Sequence, residues 1–297
     1  MTDPHNPGPH PHPHAPRIPL PANSCDAHCH VFGPTAKFPY AEGRSYTPPE
    51  SPKEDLRALH RLLGIDRAVL VQPACHGTDH AALLDALETS GGRYRGVALI
   101  RPDTSVAEVK RLHEAGVRGA RLNFTPHLGP APARDEIDRV LELVGPHGWH
   151  LALHVAGAGI AEHADLVRSL GVRVVIDHLA RVDLREGLDS AAVRALLDLL
   201  ATGTVWVKLS GTDRIATAPP SLADSAALAR LLATRAPDRV VWGTDFPHPN
   251  TTGFVPDDGD LVDLIAEIAP DAAARERLLV TNPAECFDFP DAGSPEV

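Results

Sequence analysis

The chain has 297 residues, enough for one large domain or two small ones, and 43% of them are hydrophobic, enough for a sizeable core. Aromatics make up only 4%, so that core must come from Leu, Val, Ile and Ala. A net charge of −11 with no basic run argues against nucleic acid or an acidic membrane surface as partner. No stretch of about 18 apolar residues predicts a membrane span, and no leader-like segment opens the chain, so a cytoplasmic protein is expected.

The first 22 residues are rich in proline and histidine (His5, His10, His12, His14). Proline at nearly every second place denies this stretch ladder and helix hydrogen bonds. Residues 1–22 are therefore expected to be a flexible or surface-draped tail, followed by a single domain over 23–297. Apolar runs that read as strands follow at Cys25–Phe32, Arg67–Ala74, Tyr94–Arg101 and Val117–Phe124, then Trp149–Ala156, Val172–Leu179, Thr204–Gly211 and Arg239–Phe246. They are rich in Val, Ile and Leu with little alternation, as strands covered on both faces are. Helical patterns alternate with them at Lys53–Leu63, Asp79–Ser90, Ser105–Ala115 and Arg134–Gly145, then Ile160–Leu170, Ser190–Ala201 and Ser221–Ala233. Two more, Asp260–Ile268 and Asp271–Leu279, follow the last strand. This alternation specifies an α/β fold, a (β/α)8 TIM-like barrel. An open doubly wound sheet would carry a glycine-rich phosphate loop after the first strand, where Val31-Phe32-Gly33-Pro34 stands instead.

In such barrels chemistry sits at the C-terminal strand ends. Strand one ends in His28 and His30, which are two apart and share a face, with Cys29 opposite. Strand four carries Arg121 and Asn123, and strand five carries His154. Strand six ends in Asp177-His178, of which only the later residue is expected to face the axis. Asp213-Arg214 follows strand seven, and Asp245 closes strand eight, with His248 and Asn250 beyond. Polar groups ending apolar strands are costly unless paired or used. Two imidazoles facing a carboxylate can hold a divalent metal or polarise a carbonyl oxygen. The cysteines (25, 29, 75 and 286) have neither zinc-ribbon nor disulfide-framework spacing and read as buried thiols, Cys75 included. Trp149, Trp206 and Trp242 read as packing.

Asp26-Ala27-His28-Cys29-His30-Val31-Phe32-Gly33-Pro34, Cys75-His76-Gly77-Thr78-Asp79, Val175-Ile176-Asp177-His178 and Trp242-Gly243-Thr244-Asp245-Phe246-Pro247-His248-Pro249-Asn250 resemble the amidohydrolase superfamily. Within it they are most similar to the lactonase branch of the 2-pyrone-4,6-dicarboxylate lactonases, over nearly everything from Ala22 to Phe287. The resemblance implies an amidohydrolase barrel in which Asp245 is the base that takes a proton from water. It implies that His28, His30 and His178 polarise a lactone carbonyl or hold a metal that does so. Arg121, Arg214, Tyr46 and Asn250 match positions that contact the substrate. Three positions depart from the pyrone-dicarboxylate pattern: His127 stands for an arginine, Ala74 for a serine and His154 for a tyrosine. Metal-dependent relatives keep a histidine on strand five. The expectation is therefore a hydrolase that opens a small anionic lactone, carboxylated or sulfonated. One divalent ion, zinc, is expected on His28, His30, His154 and Asp245, with His178 assisting. A metal-dependent decarboxylase of an aromatic acid and an aldarolactone isomerase are the alternatives on the same barrel.

Overall fold

The structure, a computed structural model, describes residues 6–290. All eight expected strands form: β1 (Cys25–Cys29), β2 (Arg67–Val71), β3 (Tyr94–Ala98), β4 (Val117–Asn123), β5 (His150–His154), β6 (Val174–Ile176), β7 (Val205–Leu209) and β8 (Val240–Trp242). Each pairs parallel with the next in chain order. Two backbone bonds close the seam between β8 and β1: Asp245 N–H to the His28 carbonyl and His30 N–H to the Phe246 carbonyl, both 2.8 Å. Buried Asp26 laces the same seam, accepting from Thr244 N–H at 3.0 Å and from its hydroxyl at 2.5 Å. A Cβ on Gly243 would lie 2.6 Å from the His28 nitrogen, so only glycine permits this approach.

Inside the barrel Ala27, Val69, Val71, Val97, Ala152, Val175, Trp206 and Val241 pack together, and Phe287 and Phe289 plug the N-terminal end. A larger apolar layer separates the sheet from its helices. Helix α1 (Lys53–Leu63) shows why the helices settle there. Leu56, Leu59, His60 and Leu63 recur on one buried face, Glu54 and Asp55 open the first turn, and Gly64 stops it in the left-handed conformation. Each buried leucine contributes on the order of 2 kcal/mol. Ser105 caps α3 (Val106–Glu114) and Ser190 caps α7 (Ala191–Leu200), as residues of their type do. The remaining helices are α2 (Ala81–Glu88), α4 (Arg134–Val144), α5 (Gly159–Glu162), α6 (Ala164–Ser169), α8 (Thr212–Ile215), α9 (Ala223–Arg235), α10 (Asp258–Asp263), α11 (Ile265–Ile268), α12 (Ala272–Glu276) and α13 (Asn282–Phe287).

Several expectations need correction, among them the pattern over Asp260–Ile268, which forms two short helices, α10 and α11, meeting at Leu264. The pattern over Ile160–Leu170 forms two short helices, because His163 (φ −97°, ψ 6°) breaks the run between α5 and α6. The first strand is shorter than Cys25–Phe32: register slips between Asp26 and Cys29 and the ladder ends at Cys29. The sixth also stops early, at Ile176, with consequences for the site.

Of the tail, His5 lies outside the described residues. From residue 6 to residue 22 the chain has neither helix nor strand and lies against the barrel. His14 is clasped by α10, between its N-cap Asp257 and its last residue Asp263. Its N–H donates to Asp257 at 3.1 Å, its Nδ1 lies 3.1 Å from Asp257 Oδ2, and its Nε2 lies 3.1 Å from Asp263 Oδ2. Among the described residues no helix is long and apolar enough to cross a membrane, and the four cysteines are unpaired and buried.

Candidate active site

Asp245 follows β8 in a left-handed conformation (φ 65°), which few non-glycine residues adopt without a reason. There its Oδ1 becomes the centre of a ring of imidazoles. His28 Nε2 is 3.7 Å away, His30 Nε2 3.5 Å and His178 Nε2 3.8 Å. His28 Nε2 and His30 Nε2 are 3.3 Å apart. Asp245 Oδ2 receives the Arg214 Nε at 2.7 Å, and Arg214 also donates to the Pro249 carbonyl at 2.9 Å. Sequence alternation expected Asp177 to face away from the axis. Instead both Asp177 and His178 serve the interior. The chain leaves β6 at Ile176 and runs left-handed through His178, Leu179, Ala180 and Arg181 (φ 45–54°), which turns His178 inward beside Asp177.

Beneath the ring lies a fully buried charge network. Lys208 Nζ is 3.2 Å from Asp177 Oδ1 and 3.1 Å from His28 Nδ1. Asp177 Oδ1 is itself 3.3 Å from His28 Nδ1, and Arg121 Nε donates to Asp177 Oδ2 at 3.1 Å. Burial alone would raise the Asp177 carboxyl, but Lys208, His28 and Arg121 outweigh it and hold it well below its usual range. Burial likewise acts to raise Asp245, and Arg214 and His178 overcome it, so Asp245 is a carboxylate. Burial, then Lys208, push His28 down to about 4. Burial keeps His178 and His154 well below the usual histidine range. These three imidazoles are therefore neutral near pH 7, each with one N–H.

Every residue that the sequence assigns to the site, except His28, lines one cavity above the ring. His28 is completely buried below it. His154 stands edge-on to His178 with ring centroids 5.5 Å apart. Tyr46 and Asn250 stand in the wall, and burial, then Cys75, raise the Tyr46 phenol well above its ordinary value. Three arginines, Arg121, Arg181 and Arg214, share that wall with a single carboxylate, Asp245. The lining is thus locally cationic in a chain of net charge −11.

The donors have the spacing of a metal site. Ligand atoms of His28, His178 and Asp245 all lie within 4.8 Å of one another. Nitrogens ~2.0–2.1 Å from one zinc stand roughly 3.4 Å apart, close to the 3.3–3.7 Å separations of His28, His30 and Asp245. Hydrogen bonding tells against the fit. A ligating Nε2 needs its lone pair free and the proton on Nδ1, yet His28 Nδ1 faces the Lys208 ammonium, which can only donate. As arranged, His28 does not fit an ion.

The sequence reading missed Lys208 and Arg181 and turned Asp177 the wrong way. Lys208 had a visible signal, a lone charge inside Val205-Trp206-Val207-Lys208-Leu209. Arg181 had none, because only the left-handed turn brings it to the cavity.

A family model described as amidohydrolase matches residues 25–289. The chain is 41% identical over 281 residues to a 2-pyrone-4,6-dicarboxylate hydrolase of Comamonas testosteroni, covering 92% of each chain. It is 41% identical over 283 residues to a 4-sulfomuconolactone hydrolase of Hydrogenophaga intermedia, covering 94% of this chain and 93% of that one. A D-galactarolactone isomerase of Agrobacterium fabrum (strain C58) is more distant, 32% identical over 277 residues, covering 92% and 94%.

Proposed function

The chain belongs to the amidohydrolase family, and within it we propose a hydrolase that opens a carboxylated or sulfonated lactone by water attack at the ring carbonyl. One arrangement carries the reading: a buried carboxylate, Asp245, ringed by imidazoles under an arginine-rich wall. The two relatives at 41% identity are named for hydrolysis of a pyrone dicarboxylate and a sulfomuconolactone, which agrees with an anionic ring.

The arginines seat the anionic substituent by charge-assisted hydrogen bonds. Tyr46 and Asn250 complete the wall as substrate contacts. Asp245 takes a proton as the water oxygen bonds to the carbonyl carbon, and the carbonyl π pair moves onto oxygen. His178 and His154 flank that oxygen as donors. The intermediate collapses by breaking the ring C–O bond, and the departing oxygen recovers the proton from Asp245. A positioned base and pre-aimed donors supply such steps with several kcal/mol each. Zinc on His28, His30, His154 and Asp245 is a second reading; the spacing of His28, His30 and Asp245 supports it and the Lys208 contact opposes it. The buried free thiols suit a reducing cytoplasm. Nucleic acid and membrane surfaces have no place in this reading.

The test is a pH-indicator screen over carboxylated and sulfonated lactones, with and without prior chelation. The wild type should open at least one of them, and Asp245→Asn should lose roughly 10²–10⁴-fold in kcat. Carbon dioxide release, a product of unchanged mass, or full activity in Asp245→Asn would overturn the proposal. Activity lost on chelation and restored by zinc would establish the second reading.

A further inference from the structure

His28 Nε2, His30 Nε2 and Asp245 Oδ1 lie within 3.3–3.7 Å of one another at the base of the site. If all three offered lone pairs, they would repel. Something positive must stand among them, and chemistry allows two candidates: a cation, or a proton on one of the nitrogens. On His30 the geometry draws the proton away from the centre. Its Nδ1 lies 2.7 Å from the Val71 carbonyl, which only accepts, so the proton of His30 sits on Nδ1 and its Nε2 is an acceptor. The choice therefore falls to His28.

We infer that Lys208 fixes His28 as the tautomer with Nε2–H, so that a proton rather than a metal ion fills the centre of the site. Lys208 is fully buried on β7, and its ammonium reaches both Asp177 Oδ1 (3.2 Å) and His28 Nδ1 (3.1 Å). An ammonium has no lone pair, so it can only donate to Nδ1. The hydrogen bonds then run in one direction: Lys208 to His28 Nδ1, His28 Nε2–H to His30 Nε2, His30 Nδ1–H to the Val71 carbonyl. His28 Nε2–H also points toward Asp245, 3.7 Å away, and steadies its charge. Lys208 is fully buried, does not line the cavity above the ring, and is a positioning residue. It acts through His28 on the base and on the orientation of His30. This inference deepens the proposed lactone hydrolysis at the same site.

The experiment is nitrogen-15 NMR of the wild-type histidines, with the His28 signals assigned by comparison with His28→Gln. It is paired with Co2+ titration of wild type, Lys208→Met and Lys208→Arg, followed by visible absorption. In the wild type His28 should be protonated at Nε2 and bare at Nδ1, and Co2+ should give no stoichiometric tetrahedral band. Lys208→Met frees Nδ1 to donate to Asp177. It should move the proton to Nδ1, gain a Co2+ band, and lose about 10²-fold in kcat with KM within about threefold. Lys208→Arg should keep the wild-type tautomer. A wild-type His28 carrying its proton on Nδ1, or a stoichiometric Co2+ band in the wild type, overturns the inference. If Lys208→Met does not fold, the wild-type spectra still decide. They contain no substrate, so failure to open any lactone would sink the functional proposal and leave the tautomer measurement standing.

Discussion

Arg181 is the arginine of the cavity wall that no strand end announces. Burial, then Arg214, lower its guanidinium from the usual value, so it stands ready for an anion that relieves the crowding of positive charge. Arg121 and Arg214 have their Nε groups committed to Asp177 and Asp245. Arg181→Met should therefore raise KM for an anionic lactone about tenfold or more, with kcat within a factor of three, because it removes binding shared by ground and transition states. A neutral lactone of the same ring size should show little change, and steady-state kinetics on the pair checks both halves. At this scale the gathering of His28, His30, His154, His178 and Asp245 at one end of the barrel was legible, because each interrupts or ends an apolar run. Asp177 was misread because strict alternation was extended past Ile176, where the backbone turns left-handed and alternation no longer holds. The direction of each imidazole's proton was hidden too, since it depends on Lys208 and Val71, which lie far from His28 and His30 in sequence.

Among elements, the β8–β1 seam holds the site to its tolerances. A Cβ at Gly243 would meet the His28 nitrogen at 2.6 Å, Asp26 Oδ1 at 3.0 Å and His28 Cβ at 3.0 Å, backbone and buried side chain that cannot swing aside. Gly243→Ala is expected to destabilise the fold by roughly 1–3 kcal/mol. Activity should fall further than the unfolded fraction explains, because the strands that part carry His28 and Asp245. Denaturant melts alongside turnover per folded molecule separate the two effects. All eight strands were legible because parallel barrel strands are buried on both faces and keep long Val/Ile/Leu runs. Short irregular pieces such as α8 and the α5/α6 break were not, since one helical turn leaves no periodicity to read.

Across the whole molecule, the tail is tied to α10 through His14. The ring nitrogens face Asp257 and Asp263, an arrangement that suits the imidazolium. Hydrogen bonds to Asp263 and then Asp257 raise its pKa above 6.5. A raised histidine pKa lends stability that is fully present below the unfolded value of about 6.5 and is lost as pH rises through the folded value. His14→Ala should thus lower the melting temperature most in mildly acidic buffer, and the gap to wild type should close in alkaline buffer. A gap that is constant with pH would count against the clasp.

The seam also gives the enzyme a built-in order of assembly. Two of the histidines come from the first strand and the carboxylate from the end of the last, more than two hundred residues later along the chain. A polypeptide emerging from the ribosome carries His28 and His30 early, yet the carboxylate they surround arrives only with the eighth strand, as the cylinder shuts. On the proposed mechanism, hydrolytic competence appears in one stroke with ring closure. Partly made or partly opened chains are chemically mute, and the activity itself reports on the completeness of the fold.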